Sequence, residues 1–162
     1  MSFTVDVDPA LTDAERYASL LDQARALLAD ERDPIANAAN LAALIFAGSP
    51  GLNWAGFYFY DGTELVVGPF QGLPACVRIP LGRGVCGTAA ESRETQVVDD
   101  VDAFPGHIAC DAASRSEIVV PLVRDGQLLG VLDIDSPERA RFGPEDRAGF
   151  EALADAWVDA TA

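Results

Sequence analysis

Apolar residues recur at spacings of three and four through Tyr17, Leu20, Leu21, Ala24, Leu27 and Leu28, which is the period of a helix face. Thr12 followed by Glu15 adds the spacing of a capping box, so a helix is predicted between Thr12 and Asp30. A second follows with Pro34 in its first turn and Leu41, Leu44 and Ile45 on its inner side, ending at the "GSPG" of residues 48–51. The pattern then changes. "NWAGFYFYDGTELVVGPF" (53–70) and "EIVVPLVRDGQLLGVLDIDS" (117–136) each place branched and aromatic residues on both sides of an Asp-Gly pair, and predict two β-hairpins turning at Asp61-Gly62 and Asp125-Gly126. Between them lie a short strand at Val77 to Pro80, a helix opening near Gly84 and a strand at Gln96 to Val98. The chain closes with a helix from Pro144 to Thr161, its buried face marked by Phe150, Leu153, Trp157 and Val158. One stretch, Asp99 to Ser116, has no period at all, and an irregular segment of that length predicts a lid or binding loop.

With 162 residues the chain has the size of one domain, large enough to bury a core without metal or disulfide staples. No apolar run reaches the length of a membrane span, and the start of the chain has no secretory pattern, so a cytoplasmic protein is expected. The net charge of −15 comes with eleven arginines and no lysine. Such a field repels phosphate backbones and anionic lipid surfaces, so neither nucleic acid nor membrane is expected as a partner.

Candidate chemistry gathers at the thiols. Cys76, Cys86 and Cys110 sit respectively before a strand, at a helix start and in the long loop, and none has a second cysteine at the spacing of a structural zinc site. No metal is expected. Two readings stay open for three unpaired thiols in irregular connections: small buried apolar side chains, or a redox site. Cys110 to Arg115 is C-x4-R, one residue short of a phosphate-wrapping loop, and that reading fails on register. His107, the only histidine, is read as a hydrogen-bonded residue of the lid; it would activate Cys110 three residues on only if the segment turned helically. Asp133 and Asp135 share one face of an otherwise apolar strand, with Glu117 on the partner strand. Either they form a buried carboxylate cluster with raised pKa values or they mark an exposed strand end.

The order of elements, from the helices through "GLNWAGFYFYDG", "GRGVCGTAAESRETQVVDDV" and "SEIVVPLVRDGQLLGVLDIDS" to a closing helix, resembles a GAF domain. The three cysteines with "FPGHIACD" and "LDIDS" resemble, within that superfamily, the free methionine-(R)-sulfoxide reductases, over nearly the whole chain. The resemblance implies an α+β fold with a central six-stranded antiparallel sheet and helices packed against it. It implies one GAF domain over residues 1–162, with N-terminal helices in 1–50, sheet and active-site loops in 51–136 and the last helix in 137–162. It further implies reduction of free L-methionine-(R)-sulfoxide without metal or organic cofactor, in a homodimer. Carried over by residue, Cys110 matches the nucleophile, Cys76 the main resolving cysteine and Cys86 an auxiliary one; Glu117, Asp133 and Asp135 match the acidic pocket, and Trp54 the aromatic wall.

Physical chemistry adds a donor and a dispute. A thiolate displaces oxygen from a sulfoxide only when that oxygen is protonated, a task that suits a neutral Glu117 beside the nucleophile. The dispute is Cys86, whose place near a helix N-terminus favours its thiolate and makes it a rival to Cys110. Whichever thiol attacks becomes a sulfenic acid; a second thiol closes a disulfide, and an external dithiol such as thioredoxin reopens it. The competing expectation is a non-catalytic GAF module that senses a small ligand or redox state.

Overall fold

Residues 2–161 are described by a computed structural model. Helix α1 (Asp13–Leu28) begins at the predicted capping box: the Thr12 side chain accepts from the Glu15 amide, and the Glu15 carboxylate from the Thr12 amide. Helix α2 (Pro34–Gly48) has Asp33 as its N-cap and proline in its first turn, where a missing N–H costs nothing. Strands β1 (Trp54–Tyr60) and β2 (Glu64–Gly72) form the first hairpin, and β5 (Ser116–Arg124) and β6 (Gln127–Ser136) the second. Between them come β3 (Arg78–Pro80), α3 (Gly84–Ser92), β4 (Gln96–Val98) and a 3-10 turn at Val101–Ala103. Helix α4 (Pro144–Ala160) ends the fold.

The strands make one six-stranded antiparallel sheet in the order β3-β2-β1-β6-β5-β4. The two hairpins meet along β1 and β6, so the centre of the sheet is built by the most apolar segments of the chain. Their turns differ. Asp125 and Gly126 both adopt positive φ, 49° and 76°, the geometry expected of a two-residue turn. At the first hairpin only Gly62 does, with φ of 101°, and Asp61 instead accepts the Thr63 and Glu64 amides with its side chain.

Alternation along the strands gives the sheet two unlike faces. Ala55, Phe57, Ile118, Val120, Leu132 and Ile134 point to α1, α2 and α4, where Leu20, Leu41, Ile45, Phe150, Leu153 and Trp157 complete an apolar core. Trp54, Tyr58, Val119 and Val131 point the other way, to α3 with its buried Val85, Cys86 and Ala89. Candidate chemistry lies on this second face. No helix among the described residues is long and apolar enough to cross a membrane.

Candidate active site

Strand register assembles the acids. Glu117 on β5 stands opposite Asp135 on β6, and Asp135 stands opposite Trp54 on β1, so the three form a row across the sheet. Asp133, two positions along β6, lies in the next row on the same face. All three carboxyl groups are buried, which removes the exposed-strand-end reading. Burial pushes the Glu117 and Asp135 carboxyls well above the usual carboxylate range, and the neighbouring Asp133 charge pushes in the same direction. Asp133 is raised by burial too, opposed by its polar neighbours Glu117 and Cys86 and by the charge of His107. The cluster therefore keeps at least one proton where ordinary carboxylates have none. Asp133 Oδ1 is buried without a hydrogen-bond partner, an acceptor aimed at nothing in the protein.

The thiols divide into two kinds. Cys76 and Cys110 are joined in a disulfide that links the segment before β3 to the long loop, with a Cα–Cα separation of 5.4 Å. Cys86, the third residue of α3, is free and buried, and its sulfur lies 3.8 Å from Glu117 Oε1. The expected dipole-stabilised thiolate at Cys86 is not what its surroundings favour. Burial raises its pKa well above the ordinary thiol value, and Asp133, Glu117 and Asp135 raise it further. A helix terminus contributes partial charges of about half a unit, which cannot offset the loss of solvation beside three acids. Cys86 is a neutral thiol donating to Glu117.

Trp54, Cys86, Cys110, Glu117, Asp133 and Asp135 line one cavity, so the structure brings together every residue singled out from the sequence except Cys76, which closes it from outside through the disulfide. Trp54 is stacked on Phe70 at 5.1 Å between ring centres, and its indole N–H donates to Leu73 O at 3.1 Å, which fixes the ring as a wall. Cys86 Sγ, Glu117 and Asp133 offer ligand atoms within 4.8 Å of one another. A cluster that holds on to protons, beside a thiol whose pKa is raised, suits protonation better than a cation, which needs deprotonated ligands in a buried site.

The long loop is less irregular than its sequence. Its ends are pinned by Val101 N–H to Arg115 O at 2.9 Å and by Arg115 N–H to Ser136 O at 2.8 Å. Its later part is latched to the residue before β1: the Asn53 amide donates to Asp111 Oδ2 at 3.0 Å and Ser114 Oγ at 3.1 Å. Ile108 packs over the start of α3, where Gly84 has φ of 60° and a Cβ would come 3.3 Å from the Ile108 side chain. At His107 the condition for activating Cys110 is not met. The segment 107–110 is not helical, so the imidazole is not one turn from Cys110; the backbone N–H of His107 bonds Phe104 O, while its side chain lines the cavity.

Sequence reasoning missed Asn53, Asp111, Ser114, Arg83 and Tyr58. Arg83, exposed at the N-cap of α3, is the lining's one arginine. Tyr58 was legible from period two: it follows Trp54 by four positions and so shares its face. Its hydroxyl donates to Cys76 O at 3.1 Å. The Asn53 latch had no local signal, because it joins residues 58 and 61 positions apart.

A GAF domain match covers residues 14–157. Free methionine-R-sulfoxide reductase from Escherichia coli K12 is 53% identical over 139 residues, 86% of this chain and 84% of that protein. Its namesake from Saccharomyces cerevisiae is 48% identical, over 74% of this chain and 71% of its own. The crystal structure of free methionine-R-sulfoxide reductase from Neisseria meningitidis in complex with its substrate superposes with a TM-score of 0.92 at 46% identity, covering 98% of this chain and 96% of that one. With the GAF sheet, the buried acids and the linked cysteines on one cavity, the chain belongs to the free methionine-R-sulfoxide reductase family of GAF domains.

Proposed function

We propose that the protein reduces free L-methionine-(R)-sulfoxide to L-methionine, with Cys110 as nucleophile, Glu117 as acid and Cys76 as resolving thiol. The observation that carries this reading is the buried, proton-retaining carboxyl cluster that lines one cavity with Cys110. With the disulfide open, the Cys110 thiolate attacks the sulfoxide sulfur while Glu117 protonates the oxygen. The attack forms a bond between the two sulfurs as the S–O bond breaks; the released hydroxyl oxygen then bonds the Cys110 sulfur, the sulfur–sulfur bond breaks with its electron pair going to methionine, and Cys110 is left two electrons oxidised as a sulfenic acid. Cys76 then displaces that oxygen as water and closes the Cys76–Cys110 bond. A dithiol such as thioredoxin restores both thiols.

Cys86 keeps the auxiliary place that the family resemblance implies, while its neutral thiol holds Glu117. Trp54 bounds the methyl sulfoxide end. The unpartnered Asp133 Oδ1, with Asp135 beside it, receives the substrate ammonium, and Arg83 faces its carboxylate. Acylating the substrate nitrogen leaves that buried acceptor unsatisfied, at a cost of several kcal/mol. A peptide continuing from either end must also cross the loop that carries Cys110.

Methionine release with a dithiol reductant is the test. Free (R)-sulfoxide is reduced, whereas N-acetyl-methionine sulfoxide, oxidised protein and the (S) epimer are not. Equal kcat/KM for free and N-acetylated substrate sinks the closed pocket, and equal rates for the two epimers sink the fixed acid. A sensor module releases no methionine under any of these conditions.

A further inference from the structure

We infer that the rim formed by Leu73, Val77 and Ile108 is the docking surface of a dithiol oxidoreductase protein of thioredoxin type, which opens the disulfide by attacking Cys76. The inference rests on the reading of Cys76–Cys110 as a bond reopened in each turnover. Leu73, Val77 and Ile108 are 63%, 61% and 36% exposed, and each lies within three chain positions of a disulfide cysteine. The bond itself brings the two segments to one rim, with 5.4 Å between its Cα atoms. Single exposed apolar side chains are ordinary, but three around one reactive group form the apolar centre that protein interfaces use.

Charge marks the same place. The chain has 26 carboxylates, yet none falls in "LPACV" (73–77) or in "FPGHIAC" (104–110). An apolar rim flanked in the chain by one acid, the half-buried Asp111, on a strongly acidic protein suits a partner that docks by apolar contact around a sulfur.

The two sulfurs are not equivalent. Cys110 lines the cavity and Cys76 does not. Attack from the rim therefore meets Cys76: a thiolate of the partner bonds its sulfur, the Cys76–Cys110 bond breaks, and Cys110 leaves as a thiolate into the cavity. The partner's second thiol, as thiolate, then displaces Cys76 from the mixed disulfide. Cys76 takes up a proton, the partner is left oxidised by two electrons, and both cysteines of this chain are reduced.

The experiment counts thiols released from the oxidised full-length protein with no sulfoxide present, so it does not depend on the substrate. In the Leu73→Ser/Val77→Ser protein the second-order rate of reduction by thioredoxin falls about tenfold or more, the size of a lost interface centre. Reduction by dithiothreitol stays unchanged, and Val97→Ser, an exposed apolar residue on the far sheet edge, changes neither rate. Equal losses with both reductants, or no loss with thioredoxin, overturn the docking surface. So does a dimer that dissociates in sedimentation while its thioredoxin rate holds, since the rim then covers a second copy of this chain. Thioredoxin with its second active-site cysteine replaced by serine is trapped on Cys76; a trap on Cys110 overturns the order of attack. If thiol release behaves as expected while no methionine forms from its sulfoxide, the substrate reading fails alone and this inference stands.

Discussion

The two faces of the sheet are built from the same strands in the same register, and they could hardly differ more. On β5 and β6, Ile118 pairs with Ile134, and one residue away Glu117 pairs with Asp135. The first pair is sealed under α1, α2 and α4 among apolar side chains; the second is sealed under α3 and the long loop among acids. Burial stabilises the first pair through the area removed from water. It works against the second, pushing both carboxyls up. Strand alternation lets one face hold the fold while the other stores unfavourable electrostatics that chemistry can use.

The largest effect comes from the thiols that close the chemical face. Cys110→Ser is expected to abolish methionine formation altogether, while Cys76→Ser releases about one methionine per protein and then stops at a sulfenic acid. Mass spectrometry of dimedone-labelled protein with quantified methionine distinguishes the two. A full single turnover by the Cys110 variant transfers the nucleophile to Cys86, against the raised thiol pKa there.

Adjacent residues on β5 test the division directly. Ile118→Ala is expected to cost about 2–5 kcal/mol of unfolding free energy, since it leaves a cavity in the apolar core. The protein that remains folded keeps its single-turnover rate. Glu117→Gln reverses this outcome: the chemical step slows by about 10² or more, the usual scale of a general acid, and stability is not lost. The pH dependence gives the sign. A raised carboxyl pKa means that the folded protein holds protons the unfolded chain has already released, so stability present at low pH falls as pH rises above the ordinary carboxylate range near about 4. Removing the Glu117 carboxyl takes away part of that loss. The Tm of Glu117→Gln, measured against pH, rises relative to the parent between about pH 4 and 7; parallel curves deny Glu117 its raised pKa.

How much of this was legible in the sequence follows from the same division. Periodicity marks the apolar faces of α1, α2 and α4, and Asp-Gly pairs mark both hairpins, because those signals are local. Asp133 and Asp135 announce themselves as two acids at period two in an apolar strand, although only cross-strand register shows that Glu117 faces Asp135. Helix position pointed Cys86 the wrong way. A dipole can be read along a chain, whereas burial beside three acids depends on what folds over it. Asn53 was hidden for the same reason, its partner being a loop residue 58 positions on, and so was the contact of the Tyr58 hydroxyl with a backbone carbonyl 18 positions on, although the strand period places Tyr58 on the chemical face.

The smallest expected effect concerns that last contact, which joins the rigid sheet to the reactive segment before β3. Tyr58 is held on the chemical face by stacking on Trp54, with 5.8 Å between ring centres, and its hydroxyl donates to the Cys76 carbonyl. Burial, with the Asp133 charge next, pushes the hydroxyl pKa upward, so it stays a neutral donor throughout the working range. Tyr58→Phe keeps the ring and its stacking but frees the Cys76 backbone. A single hydrogen bond is worth about 0.5–1.5 kcal/mol, so at most about a tenfold effect is available. It should fall on one step only. Methionine release in the first turnover keeps its rate, because neither Cys110 nor Glu117 has moved, while closure of the disulfide slows and the Cys110 sulfenic acid lives several times longer. Dimedone capture at timed points after mixing reads that lifetime directly. If both steps slow together, Tyr58 serves the pocket rather than the position of Cys76; if neither changes, the sheet does not hold the resolving cysteine in place.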